Sequence, residues 1–125
     1  MIDIQEVLLI HETLIAEFGG VNGVRDYNLL VSAINRPFAG TNDSEFYPTT
    51  HLKAAAVIER IVKNHPFIDG NKRTGYVVMR LFLLSDGLDI NASQDEKYEF
   101  VIEIATGNST IDDITSWILN HLIQL

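Results

Sequence analysis

The sequence predicts an all-α fold, a compact bundle of about six helices in one domain over residues 1–125, with a small flap or hairpin at about 36–48. Three observations predict it. Apolar residues recur at helical spacing in most segments. Gly and Pro residues cut those segments into helix-length pieces. At 125 residues and 46% apolar content, the chain suits a single hydrophobic core.

The elements follow in order. Ile2 to Phe18 carries apolar residues at 4, 7, 8, 14, 15 and 18, and the Gly19-Gly20 pair ends that helix. Asp26 is placed to cap a second helix reaching Asn35, with Leu29, Leu30, Ala33 and Ile34 on one face, and Pro37 stops it. Residues 36–48, RPFAGTNDSEFYP, form a polar connection long enough to suggest a functional loop. Thr49 or Thr50 caps a third helix over His51 to Asn64, which Pro66 should terminate at His65. Thr74 to Ser85 is apolar on nearly every face, the pattern of a central buried helix, and Asp86-Gly87 ends it. Two amphipathic helices, Glu96–Thr106 and Thr110–Ile123, complete the chain.

Composition narrows the function. With no cysteine, disulfides and thiolate zinc sites are excluded, which suits a reducing cytoplasm. The start MIDIQEVLLIHE has no basic region of a signal peptide. No apolar run approaches the roughly 20 residues that span a bilayer. The expectation is a cytoplasmic protein without a membrane partner. A net charge of −8 repels nucleic acid, yet Lys63, Lys72, Arg73 and Arg80 fall close together in the chain. That pattern favours a small phosphate ligand over a nucleic-acid polymer.

The stretch HPFIDGNKRTG, His65 to Gly75, sits between the third helix and the most apolar one. A helix N-terminus presents unpaired N–H groups and partial positive charge, so it binds phosphate. Gly70 permits close backbone approach, Lys72 supplies a point charge and Arg73 a bidentate fork. Two roles are open for Asn71, orienting a phosphate or locking the loop. Asp69 opposes an anion unless Mg²⁺ lies between them; otherwise it is a helix cap. His65 is suited to take a proton from a hydroxyl near neutral pH, or to act as a C-terminal helix cation. Phe67 reads as a core anchor for the loop. His11, His51 and His121 lack metal-ligand spacing and read as structural or surface residues.

His65-Pro66-Phe67-Ile68-Asp69-Gly70-Asn71-Lys72-Arg73 resembles the Fic/Doc family motif H-P-F-x-[D/E]-G-N-[G/K]-R, and Lys72 makes it most like the death-on-curing (Doc) toxin branch. The segments GGVNGVRDYNLLVSAINRPFAG (19–40) and YPTTHLKAAAVIERIVKNHPF (47–67) extend the likeness over nearly the whole chain. The resemblance implies a helical fold with this loop between two central helices and an enzyme using ATP and Mg²⁺. In it His65 is the base, Asp69 the Mg²⁺ ligand, and Gly70, Asn71, Lys72 and Arg73 the anion-binding residues. The 36–48 flap would pin a target protein by strand-like pairing. A host translation factor as target and a separate antitoxin as partner are implied as well.

AMP-transferring members of the family usually carry Gly in place of Lys72 and a second Arg where Tyr76 stands. The resemblance therefore implies phosphoryl transfer from ATP to a hydroxyl side chain, with AMP transfer as the alternative. A self-inhibitory pattern, [S/T]-x-x-x-E-[G/N], is matched by Thr13 and Glu17 but broken at Phe18. Two further readings come from different classes: a non-catalytic binding module of the same fold, and a ribonuclease toxin of HEPN type built on Arg60 and His65. The second leaves Asp69, Asn71, Lys72 and Arg73 without a role. A P-loop fails because its first Gly would fall at His65, with no strand before it.

Overall fold

Five helices begin where a side chain accepts an N–H that the helix itself cannot pair. In the computed structural model, which describes residues 2–125, Asp3 caps α1 (Ile4–Phe18), Asp26 caps α2 (Tyr27–Asn35) and Thr49 caps α3 (Thr50–Asn64). Ser93 and Thr110 form reciprocal capping boxes with Glu96 and Asp113 at the heads of α5 (Gln94–Ala105) and α6 (Ile111–Asn120). The sixth, α4 (Asn71–Leu84), starts at Gly70 with no side-chain cap. Its orphan N–H groups are left for something else.

The buried apolar residues form one cluster drawing on all six helices, with α3 and α4 at its centre. On α3 the run Ala54, Ala55, Ala56, Val57 and Ile58 is fully buried, and its three small side chains let neighbouring helices approach closely. α3 also packs on α2, α5 and α6. Gly75 brings α4 nearest to α3 just above the loop: a Cβ there would lie 3.0 Å from Val62 Cγ2 and 3.4 Å from Ile61 Cγ2. A mid-helix glycine costs about 1 kcal/mol relative to alanine, and here it is what permits the close contact.

The flap is smaller than a regular hairpin. Arg36–Phe38 form one 3₁₀ turn, and an antiparallel bridge joins Gly40 to Glu45. Lys53 on α3 ties it down through an ion pair to Glu45 at 2.9 Å, and Arg36 Nε donates to the Tyr47 hydroxyl at 2.9 Å.

Several boundaries differ from the sequence reading, among them the start of α4, at Asn71 rather than Thr74. α1 begins at Ile4 because Asp3 takes the capping position, and α5 begins at Gln94 because Ser93 does, making Glu96 the partner in its box. The last helix stops at Asn120 rather than Ile123. Residues Leu122–Gln124 (β2) instead pair antiparallel with Leu88–Ile90 (β1), in the register Asp89↔Ile123. The partner strand is distant in sequence, so local periodicity carried no sign of it. Arg80 on α4 anchors β1 by a bidentate pair to Asp89 at 2.8 and 2.7 Å, which holds the Asp89 carboxyl below the usual carboxylate range. Among the described residues no helix is long and apolar enough to cross a membrane.

Two stability measurements test this packing. Gly75→Val should lower stability by about 1–3 kcal/mol through overpacking against Val62, read as a drop in urea midpoint. His121 closes a stack with Trp117 and Phe100, donates from Nδ1 to the Trp117 carbonyl at 2.7 Å and pairs through Nε2 with Glu96 at 3.0 Å. The Trp117 carbonyl first, then Glu96, raise the His121 pKa above its ordinary 6.5. Its contribution is therefore complete below that value and is lost as pH rises through the raised one. Thermal midpoints of the wild type should fall across that window relative to His121→Gln, with the single tryptophan as the fluorescence reporter.

Candidate active site

The six residues from His65 to Gly70 connect α3 to α4, and a second segment, Gly20 to Asp26, runs antiparallel beside them. The Val21 N–H donates to Asp69 Oδ2 at 3.2 Å, the Ile68 N–H donates to the Gly23 carbonyl at 3.1 Å, and Val24 bridges Phe67. The N–H groups of Arg25 and Asp26 both donate to the Pro66 carbonyl, at 2.8 and 3.0 Å. This strap gives the motif's backbone groups partners while leaving its outer face open.

Each side chain has a definite place. Phe67 is fully buried and anchors the loop, as the sequence predicts. The Asn71 side chain is buried and taken up by Phe67: Oδ1 accepts from its N–H at 2.9 Å and Nδ2 donates to its carbonyl at 3.0 Å. Of the two roles open to Asn71, this geometry fills the locking one. Asp69 is exposed and does not cap α4 in the usual way. Its Oδ1 accepts from the Gly70 N–H at 2.8 Å, and hydrogen bonds from Val21 and then Gly70 hold its carboxyl below the usual carboxylate range. Gly70 has φ +76°, a left-handed conformation that a glycine adopts without strain.

His65 ends α3, and Pro66 follows, but its backbone is left-handed rather than extended, at φ 49° and ψ 58°. Among the described residues it is the one non-glycine with positive φ. Such a conformation costs roughly 1–2 kcal/mol in an L-residue, and residues held in it cluster at functional sites.

One cavity of about 310 Å³ is lined by His65, Ile68, Asp69, Gly70, Asn71, Lys72 and Arg73. The first helical bond of α4 runs from the Thr74 N–H to the Gly70 carbonyl, so the N–H groups before it lie at the helix mouth. Lys72 and Arg73 are exposed beside it, with the Arg73 guanidinium 4.5 Å above the Phe18 ring. A second recess of about 510 Å³ shares Lys72 and Arg73 and is lined also by Phe18, Tyr76 and Tyr98, but not by His65. Burial pushes the Tyr76 phenol up to about 12, so the wall of this recess at Tyr76 is neutral.

The structure brings together all six predicted positions and leaves others out. Arg60 pairs with Glu59 at 3.5 Å and lies outside the cavity lining, so the Arg60/His65 pairing of a ribonuclease does not form there. Thr13 and Glu17 line a separate surface on α1. Two residues gain a role that the sequence did not assign: His11, read there only as structural or surface, and Arg25. His11 is buried and stacks on Phe67 with ring centroids 3.8 Å apart and planes within 7°, and its Nε2 donates to the Asp69 carbonyl at 2.7 Å. Arg25 donates from Nε to the His65 carbonyl and from Nη2 to the Asn64 carbonyl, each at 2.6 Å. The helical register of α1 placed His11 on its buried face, which was the available signal; Arg25 lies in the family-like segment 19–40, which did not indicate its contacts.

Fold and site together define a helical protein in which the bare N-terminus of a central helix is flanked by a histidine, a carboxylate and two cations. The Fic/DOC family profile matches residues 1–83, and the chain belongs to that family. It is 37% identical over 101 residues to Toxin Doc of Mycolicibacterium smegmatis, covering 79% of this chain and 78% of that one. It is 26% identical over 110 residues to the Protein kinase doc of Escherichia phage P1, covering 88% and 86%.

The locking role of Asn71 is testable. Asn71→Ala leaves the buried Phe67 N–H and carbonyl unpaired, and should lower stability by about 1–3 kcal/mol for each group left without a partner. Chemical denaturation with circular dichroism measures it.

Proposed function

We propose that this chain is the toxin of a toxin–antitoxin pair, an ATP-dependent transferase that moves the γ-phosphoryl group to a hydroxyl side chain of a host protein. The carrying observation is that His65, Asp69, Gly70, Lys72 and Arg73 line one cavity at the one α-helix head, among the described residues, without a side-chain cap. The names borne by the relatives, Toxin Doc and Protein kinase doc, support the same reading.

The α4 N–H groups, Lys72 and Arg73 hold the phosphate oxygens and stabilise the charge that spreads over them during transfer. The adjoining recess, walled by aromatic and aliphatic side chains, has room for a nucleoside. A nucleoside there leaves the terminal phosphate nearest His65. The His65 imidazole accepts the proton of the target hydroxyl, the hydroxyl oxygen bonds to the γ-phosphorus, and the bond to the β–γ bridging oxygen breaks, releasing ADP. Mg²⁺ fits the site, because Asp69 offers an ionised, exposed carboxylate beside the cradle, the donor type that ion takes together with phosphate oxygens. When bound, the ion neutralises charge on the β- and γ-phosphates. The flap at 39–46, with Phe46 exposed, supplies the edge for a target segment. A translation factor is the proposed target, an antitoxin that covers this cleft the proposed partner, and the cytoplasm the proposed compartment.

Label transfer in bacterial lysate with Mg²⁺ tests the reading, using ATP labelled at the α- or the γ-phosphate. Transfer is expected from the γ label alone, and His65→Ala should reduce it by about 10²–10⁴-fold. Transfer from the α label means AMP transfer instead, and an active His65→Ala enzyme sinks the role of His65.

A further inference from the structure

We propose that Arg25 is a positioning residue that aims the His65 imidazole by gripping the backbone on which it stands. The kinetic consequence rests on the phosphotransfer reading above; the geometric content does not. Among the described residues no hydrogen bond reaches the His65 ring, so its direction is inherited from the backbone. A general base is ordinarily oriented by a third group bonded to its ring. Here the orienting contact falls one step back, on the carbonyls of Asn64 and His65, each 2.6 Å from an Arg25 nitrogen.

The arrangement suits a guanidinium and no other side chain. Two successive carbonyls at the end of α3 point out of the helix, and a planar fork with two donors meets both at once. The positive charge also faces the negative end of the α3 dipole. In a chain of net charge −8, an exposed arginine has carboxylates to choose from, yet among the described residues none pairs with Arg25. Its own N–H meanwhile donates to the Pro66 carbonyl at 2.8 Å, so the residue holds the backbone on both sides of the His65–Pro66 bond. The left-handed φ of 49° at His65 is thus over-determined from one residue of the strap.

The test uses the full chain with Arg25→Ala and Arg25→Lys. Initial γ-label transfer rates are measured in desalted bacterial lysate over a range of ATP concentrations, with thermal midpoints, and histidine ring resonances are recorded by NMR. Arg25→Ala should lower the maximal rate by about 10²-fold while the KM for ATP moves less than about threefold, since the phosphate cradle is untouched and only the base is misplaced. Arg25→Lys, a point charge in place of a fork, should recover part of the rate, and the His65 ring resonances should move in both variants. An unchanged maximal rate overturns the proposal, and so does a loss that merely follows the fraction unfolded, or unmoved His65 resonances. If the wild type shows no His65-dependent transfer, the phosphotransfer reading fails by itself. The His65 resonances in the Arg25 variants then decide the positioning role.

Discussion

The connection between α3 and α4 governs this molecule. Six residues, His65 to Gly70, must join the two most buried helices, and their backbone polar groups need partners at the edge of an apolar core. Helical bonding cannot provide them, because the chain reverses. The strap from Gly20 to Asp26 provides them from one side, and the Asn71 side chain and His11 provide them from within. With these groups paired from the strap and the core, the outer face of the loop stays open.

That division explains the distribution of glycine and charge. Gly20 stands at φ +116°, which a side chain rarely tolerates, and a Cβ there would crowd Asp69 Oδ2 at 2.8 Å where the strap passes the carboxylate. Gly75 is needed because α3 and α4 meet tightly just past the loop. The bare head of α4 contrasts with five helices that begin on an Asp, Ser or Thr. A capping side chain at Gly70 would pair the N–H groups that the head of α4 leaves open. The chain as a whole carries a net charge of −8, while Lys72 and Arg73 place two cations beside the head of α4.

Rigidity and strain sit side by side. Phe67 and His11 form a stacked, buried pair directly beneath the loop, while His65, two residues from Phe67, stands in a left-handed conformation on the surface. The roughly 1–2 kcal/mol that such a residue costs is small against the burial of α3 and α4, so the core can hold it. A strained residue over a fixed platform suits a group that must point in one direction.

Much of this was legible in the sequence. The 3.6-residue periodicity, the caps at Asp26, Thr49 and Thr110 and the stops at Pro37 and Pro66 determined the number and order of helices, because these are local effects of backbone and side-chain chemistry. The run from His65 to Arg73 likewise grouped the candidate site residues around one cavity, since motif positions adjacent in the chain are adjacent in space around a helix head. What the sequence could not determine depended on distant partners. The pairing of Leu88–Ile90 with Leu122–Gln124, which ends α6 early, needs two segments far apart in the chain. So do the contacts of His11 with Asp69 and of Arg25 with His65. Asn71 had two chemically equal roles, and only the packing of its amide on the Phe67 backbone separated them. Tertiary structure decided these features because hydrogen-bond partners are chosen by proximity in the folded chain, which residue type and spacing do not encode.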